Sequence, residues 1–321
     1  MQTSQGKNVE VIAVKGNFDD CQRMVKQAMS DGEVAASAKG ITLSSANSIN
    51  IGRLVPQIVY YYSSYAKLIK EGAIHCGDVI NFVVPTGNFG DILAGYMAKQ
   101  LGLPIHQLIC ASNSNNVLTD FLKTGVYSIQ RPFHTTMSPS MDILVSSNLE
   151  RLLFMMSEND DALIRKMMRQ LKENGSYTIP DLLKETIQQE FCGYWTTEED
   201  CTLTMQELFQ KEKILIDPHT AIALHAMRQY QSETKDPHPC IVLSTASPYK
   251  FSRDVLRAVT KHELSNDFAA MKELQKLSGI PIPEGLAELE QLPIRFEKSI
   301  EIKDGMHVIA QRMKEISNAD D

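Results

Sequence analysis

Two hydrophobic rhythms alternate through the first third of the chain. Residues 9–14 (VEVIAV) form a short β-branched run, and Cys21, Met24, Val25, Ala28 and Met29 then recur at helical spacing. A second strand is predicted at residues 41–43. It leads into a polar stretch, residues 44–53, and an amphipathic helix follows, marked by Leu54, Val55, Ile58, Val59, Tyr62 and Ile69 with Pro56 in its first turn. Residues 78–85 (DVINFVVP) read as a buried strand, Ile92, Leu93, Tyr96, Met97 and Leu101 as the stripe of the next helix, and residues 107–111 as the strand after it. Such alternation predicts an α/β fold: a parallel twisted sheet with right-handed crossovers and helices on both faces, its ligands at the carboxyl ends of the strands.

From Asn148 the stripes become mainly helical, at Leu149, Leu152, Leu153 and Met156 and again at Leu163, Ile164, Met167, Met168 and Leu171. Asp217-Pro218 and Ser247-Pro248 carry the cap-then-proline signature of a helix start. A lone strand is predicted at residues 241–243. The tail offers an acidic helix near 284–290, a strand near 294–300 and a last helix over 305–316.

Composition narrows the function classes. With 43% hydrophobic and 22% charged residues the chain is a globular one, and a net charge of −7 without a basic run argues against a nucleic-acid partner. Its six cysteines are scattered with no C-x-x-C, so reduced cytosolic thiols are expected rather than a zinc ribbon or a redox pair. No apolar run reaches membrane-spanning length and residues 1–7 lack signal-peptide features, so a cytoplasmic protein without a membrane partner is expected.

Candidate chemistry lies where predicted strands end. Pro85-Thr86-Gly87-Asn88-Phe89-Gly90-Asp91 is a glycine-punctuated turn between strand and helix, suited to gather backbone amides around an anion. Lacking Walker and G-x-G-x-x-G spacing, it fits a small phosphate better than a nucleotide; a plain β–α turn is the equal alternative. In residues 44–53, Asn47, Ser48, Asn50 and Arg53 offer groups for a carboxylate or phosphate, although a helix cap accounts for the asparagines as well or better. Thr245, just past the late strand, presents a hydroxyl for a ring nitrogen or merely fills a β position. His219 and His225 fall on nearly opposite helix faces, and no metal site is expected. Tyr60, Tyr61 and Tyr62 fit core or helix faces.

Five blocks in order carry a resemblance: Ser45-Ala46-Asn47-Ser48-Ile49-Asn50, Val84-Pro85-Thr86-Gly87-Asn88-Phe89-Gly90-Asp91, Ser138-Pro139-Ser140-Met141-Asp142-Ile143, Ser147-Asn148-Leu149-Glu150-Arg151 and Asp217-Pro218-His219-Thr220. Together they resemble the threonine synthases, from Met1 to about Arg253. The resemblance implies the tryptophan-synthase-β-like fold, pyridoxal 5′-phosphate (PLP) as cofactor, and conversion of O-phospho-L-homoserine and water to L-threonine and phosphate. It implies that Gly87, Asn88, Phe89 and Asp91 surround the cofactor phosphate, that Thr245 meets the pyridine nitrogen, and that Asn47, Ser48, Asn50 and Arg53 hold the substrate. Asn113, Asn115 and Asn116 match a family stretch without an assigned role.

Departures from the pattern matter. The family's Schiff-base lysine follows a Phe-Lys-Asp-type motif, with a Ser/Thr/Gly-rich cofactor loop downstream, and neither occurs here; Lys250 matches a different lysine. Ile51 and Ser247 stand where tryptophan and histidine are frequent. The resemblance thus implies the carboxyl-terminal portion of a longer lyase, inactive alone and completed by an amino-terminal segment, with residues 1–43 from the smaller lobe, 44–260 as the large cofactor-binding domain and 261–321 as an α+β extension. A non-catalytic PLP- or phosphate-binding module, or another lyase of that fold such as a dehydratase or cysteine synthase, is the alternative.

Overall fold

The computed structural model describes residues 1–37 and 40–319; residues 38–39 of the expected smaller-lobe segment 1–43 and residues 320–321 of the expected extension 261–321 lie outside them. Its contacts divide the chain into two units, residues 51–283 and residues 1–50 with 284–321. This grouping places the acidic helix and the last strand and helix with the amino-terminal residues.

The larger unit is built on a parallel sheet of β2 (Ile80–Pro85), β3 (Ile105–Ser112), β6 (Phe191–Trp195) and β7 (Cys240–Val242), in the order β6-β3-β2-β7. Every residue of β2 is buried, because helices cover both faces of the sheet. On one face Phe82, Val84 and Leu108 join Tyr61, Ile92 and Leu93 from the helices Ile58–Lys70 and Gly90–Gln100. The helix Pro218–Thr234 packs across β2, β3, β6 and β7. Asn81, the polar exception inside β2, accepts the Gln107 amide at 3.0 Å, which satisfies its buried carbonyl.

The smaller unit pairs β1 (Ala13–Lys15) with β8 (Ser299–Glu301) in parallel and packs the last helix, Gly305–Ala319, beside Gly32–Ser37. The strand expected at 41–43 does not form. Ile41 and Leu43 instead lie against the Ala28, Val34 and Met313 cluster, where side-chain burial requires no ladder partner.

Two further expectations are corrected. The first helix of the larger unit is broken: Ile51–Leu54 is followed by a 3-10 turn, Val55–Gln57, that carries Pro56, and the regular helix begins at Ile58. The stretch after Asn148 is also less helical than its stripes suggest. β6 lies within it, and β5 (Ser176–Thr178) pairs antiparallel with β4 (Val126–Ser128).

Candidate functional site

Because β2 and β7 run parallel with Val83 opposite Val242, the turn after Pro85 and the segment 243–245 emerge side by side at the carboxyl edge of the sheet. The Leu243 amide extends the ladder to the Val83 carbonyl at 3.0 Å. Beyond it a cavity of about 790 Å³ is lined by Arg53, Tyr60, Ser63, Asp91, Ser244 and Thr245 among others. That volume lies in the ordinary range for a small-molecule pocket.

The turn itself is shaped for an anion. Phe89 adopts the left-handed region (φ 60, ψ 14) immediately before the helix Gly90–Gln100, and no side chain caps that helix. The amides of residues 88–92 find no acceptor among the described residues. Consecutive uncapped amides at a helix start are the donor set a phosphate ester requires. Phe89 contributes only its backbone, since its ring is buried with the centroid 5.6 Å from that of Phe191.

Several side chains hold this turn in place. The Asn88 Oδ1 accepts from the Ser147 amide and hydroxyl, both at 3.0 Å, and its carbonyl accepts the Asn148 Nδ2 at 2.9 Å. Ser146 Oγ donates to the Gly87 carbonyl at 3.0 Å. Gly87 is packed against backbone, with its absent Cβ position 2.8 Å from the Ser140 carbonyl. The segment it touches is fixed from β3: Asn113 Nδ2 reaches Thr136 Oγ1, Ser138 Oγ and Asp142 Oδ1 at 2.8–2.9 Å, and Asn115 Nδ2 reaches Asp142 at 3.0 Å. Of the three asparagines left without a role, Asn113 and Asn115 are therefore buried braces, while Asn116 accepts from Arg131 at 2.8 Å.

Asp91 stands in the first helical turn and on the cavity wall. Burial pushes its carboxyl from the ordinary 3.8 up to about 6, against the opposing hydrogen bond from Tyr61. The Tyr61 hydroxyl lies 2.7 Å from the Asp91 carbonyl and 3.1 Å from Oδ1. Its phenol is itself held well above 10 by burial and by the Asp91 charge, so it remains a donor. A carboxyl raised in the folded state binds its proton more readily there than in the unfolded chain, so stability falls as pH rises through about 6. Asp91→Asn is expected to raise the melting temperature at neutral pH, with the gain vanishing below the ordinary carboxyl range. Melting curves across that pH range check this, and a pH-independent difference would contradict the charge origin.

Thr245 is exposed toward the cavity and is held through its neighbour. Ser244 Oγ accepts from Thr220 Oγ1 at 3.1 Å, and Thr220 in turn bonds Asp217, the fully buried N-cap of Pro218–Thr234. His219 is buried with Nδ1 2.8 Å from Asp217. Arg53, Asp91 and Thr245 thus share one cavity, while Gly87, Asn88 and Phe89 lie in the turn just before Asp91 and are not among its lining residues.

Asn47, Ser48 and Asn50 belong to the other unit. There Asn47 Oδ1 accepts the Ile49 amide at 2.9 Å and Asn50 Nδ2 donates to the Ser45 carbonyl at 3.0 Å, so both asparagines knit their own loop. Of the tyrosines read as core or helix-face residues, Tyr60 lines the cavity and Tyr61 grips Asp91. Helical spacing alone did not separate these roles.

Among the described residues no helix is long and apolar enough to cross a membrane. A family model described as pyridoxal-phosphate dependent enzyme matches residues 3–245, and one described as threonine synthase, C-terminal, matches residues 220–309. The human protein named threonine synthase-like 1 is 36% identical over 98% of this chain and 42% of its own length. Threonine synthase from Pseudomonas aeruginosa is 39% identical over 80% of this chain and 53% of its own. The chain therefore spans about half the length of these curated relatives. The crystal structure of PLP-bound threonine synthase from Brucella melitensis superposes with a TM-score of 0.78 at 35% identity, covering 97% of this chain and 60% of that one, and it shares the tryptophan-synthase-β-like fold. The chain belongs to the pyridoxal-phosphate dependent enzymes and, within them, to the threonine synthase family.

Proposed function

We propose that this chain forms the phosphate-gripping part of a PLP-dependent lyase that converts O-phospho-L-homoserine and water to L-threonine and phosphate. The observation that carries the reading is the row of amides at residues 88–92, without an acceptor among the described residues, opening a helix beside a cavity with a guanidinium and a hydroxyl on its walls. Pyridoxal phosphate, when bound, supplies an electron sink for proton removal from the substrate.

The chain's own residues do the rest by placement. The amides of residues 88–92 hold the cofactor's phosphate, and Gly87 and Asn88 keep the turn against its support. Asp91, raised to about 6, holds a proton at its carboxyl through much of the slightly acidic range and then faces an anion as a donor instead of a repelling charge. Thr245 meets the ring nitrogen with a neutral hydroxyl, which favours an unprotonated ring. Arg53 orients the substrate's carboxylate or phosphate with its planar fork.

The 321 residues contain no Phe-Lys-Asp motif, so the chain alone is assigned binding without turnover. In equilibrium dialysis it is expected to retain PLP in preference to pyridoxal, which lacks the phosphate, and Arg53→Ala to leave that preference unchanged. Phosphate release from O-phospho-L-homoserine should stay at background, as should ammonia release from serine. Equal retention of PLP and pyridoxal would contradict the cradle, and turnover by the chain alone would contradict the assigned division of labour.

A further inference from the structure

At the amino ends of the same strands, away from the cavity, three side chains that the proposed lyase chemistry does not use converge. His106 is the second residue of β3, and Asp236 and His238 lie in the connection that enters β7. His106 Nδ1 is 3.2 Å from Asp236 Oδ2 and His238 Nδ1 is 2.5 Å from Asp236 Oδ1. The two imidazoles stack with centroids 4.6 Å apart and planes inclined by 29°. One ligand atom from each of the three residues lies within 4.8 Å of the others.

We propose that His106, Asp236 and His238 bind a divalent first-row transition metal of the zinc class. Two imidazole nitrogens and a carboxylate oxygen make a ligand set for such an ion and leave a position for water. The burial gradient suits this. Asp236 has a side chain only 7% exposed, while those of His106 and His238 are 47% and 36% exposed, which keeps the imidazole side open to entry from solvent.

The carboxylate is also oriented from behind, as metal-binding carboxylates are. Asn81 Nδ2 donates to Asp236 Oδ2 at 2.8 Å, the Tyr230 hydroxyl donates to the same oxygen, and the His238 amide donates to Oδ1 at 3.0 Å. These bonds fix Asp236 whatever stands in front of it. Each histidine Nδ1 now faces the carboxylate as a hydrogen-bond donor would. On coordination each Nδ1 lone pair goes to the metal and the ring's single proton sits on Nε2.

The test is calorimetric titration of zinc chloride into the intact chain, beside the His106→Gln/His238→Gln double variant. One equivalent is expected to bind, and the double variant to weaken it by at least about 100-fold, since losing even an outer partner of a metal ligand costs on the order of 10–100-fold. Both histidines are partly exposed, so the variant should keep its fold; should its circular dichroism be lost, each single glutamine variant is titrated and must weaken zinc. Cobalt supplies the second readout: visible bands without a thiolate charge-transfer band are expected from nitrogen and oxygen donors. No bound equivalent, binding unchanged in the variants, or a thiolate band pointing to Cys240 would each overturn the proposal.

Discussion

Gly87→Ala is expected to lower PLP retention by on the order of 100-fold, the cost typical of a placement error near 1 Å at a preorganised site. The added methyl would stand 2.8 Å from the Ser140 carbonyl and 3.1 Å from the Met141 Cα. Both are backbone atoms, so no rotamer change relieves the clash. The turn cannot retreat easily either, because Ser146 holds the Gly87 carbonyl and residues 147–148 hold Asn88. The strain therefore goes into the neighbouring amides that receive the phosphate. Overpacking should also cost about 1–3 kcal/mol of stability. Gly285→Ala, where nothing lies within 4 Å of the added carbon, is the control. Equilibrium dialysis and a melting curve on the two variants check the expectation, and unchanged retention in Gly87→Ala would show that the turn does not position the cofactor.

The second large effect is expected at a residue that touches no ligand. Asp142 accepts from Asn113 Nδ2, Asn115 Nδ2, the Thr136 amide and Thr136 Oγ1, at 2.7–3.0 Å. Asp142→Ala leaves all four donors without that acceptor in a place where Asn113 and Ser138 are fully buried. Since hydrogen bonds to a charged group contribute about 1.5–3 kcal/mol and a stranded buried donor costs about 1–3 kcal/mol, a loss of at least about 3 kcal/mol is expected. The segment that Gly87 packs against would loosen with it, so PLP retention should fall together with denaturant stability. A loss of stability with retention intact would separate the brace from the cradle.

The parts of this site that sequence made legible are those whose chemistry is local. A buried strand, a glycine turn and an amphipathic stripe are written within a dozen residues, and the turn at 85–91 stands where that pattern predicts. Thr245 was legible only conditionally, because its value depends on β7 pairing with β2, and strand order is not a local property. β6 escaped notice because its five residues, FCGYW, sit between helices and carry no alternation. The Asn113, Asn115 and Asp142 brace is invisible for a similar reason: polar residues at separate sites look solvated until the fold buries them together. His106 and His238 illustrate the same limit, since a metal-ligand spacing rule searches neighbours along one helix or loop, and one of these lies in β3 and the other in the connection that enters β7. At residues 41–43 the composition was that of a strand and the outcome was not, because β-propensity records fitness for a half-buried surface and supplies no partner.

The pairing of β2 with β7 carries a kinetic consequence. Its two strands are contributed from near the beginning and near the end of the larger unit, so the chain must close a very long loop before the first rung of that ladder repays the entropy. Pairing of β2 with β3 closes a much shorter one. On refolding, the anion-binding turn should mature with the early strand–helix–strand crossover from β2 to β3, and the wall bearing Thr245 should arrive last, so that competence to hold a phosphate precedes competence to discriminate the ring attached to it.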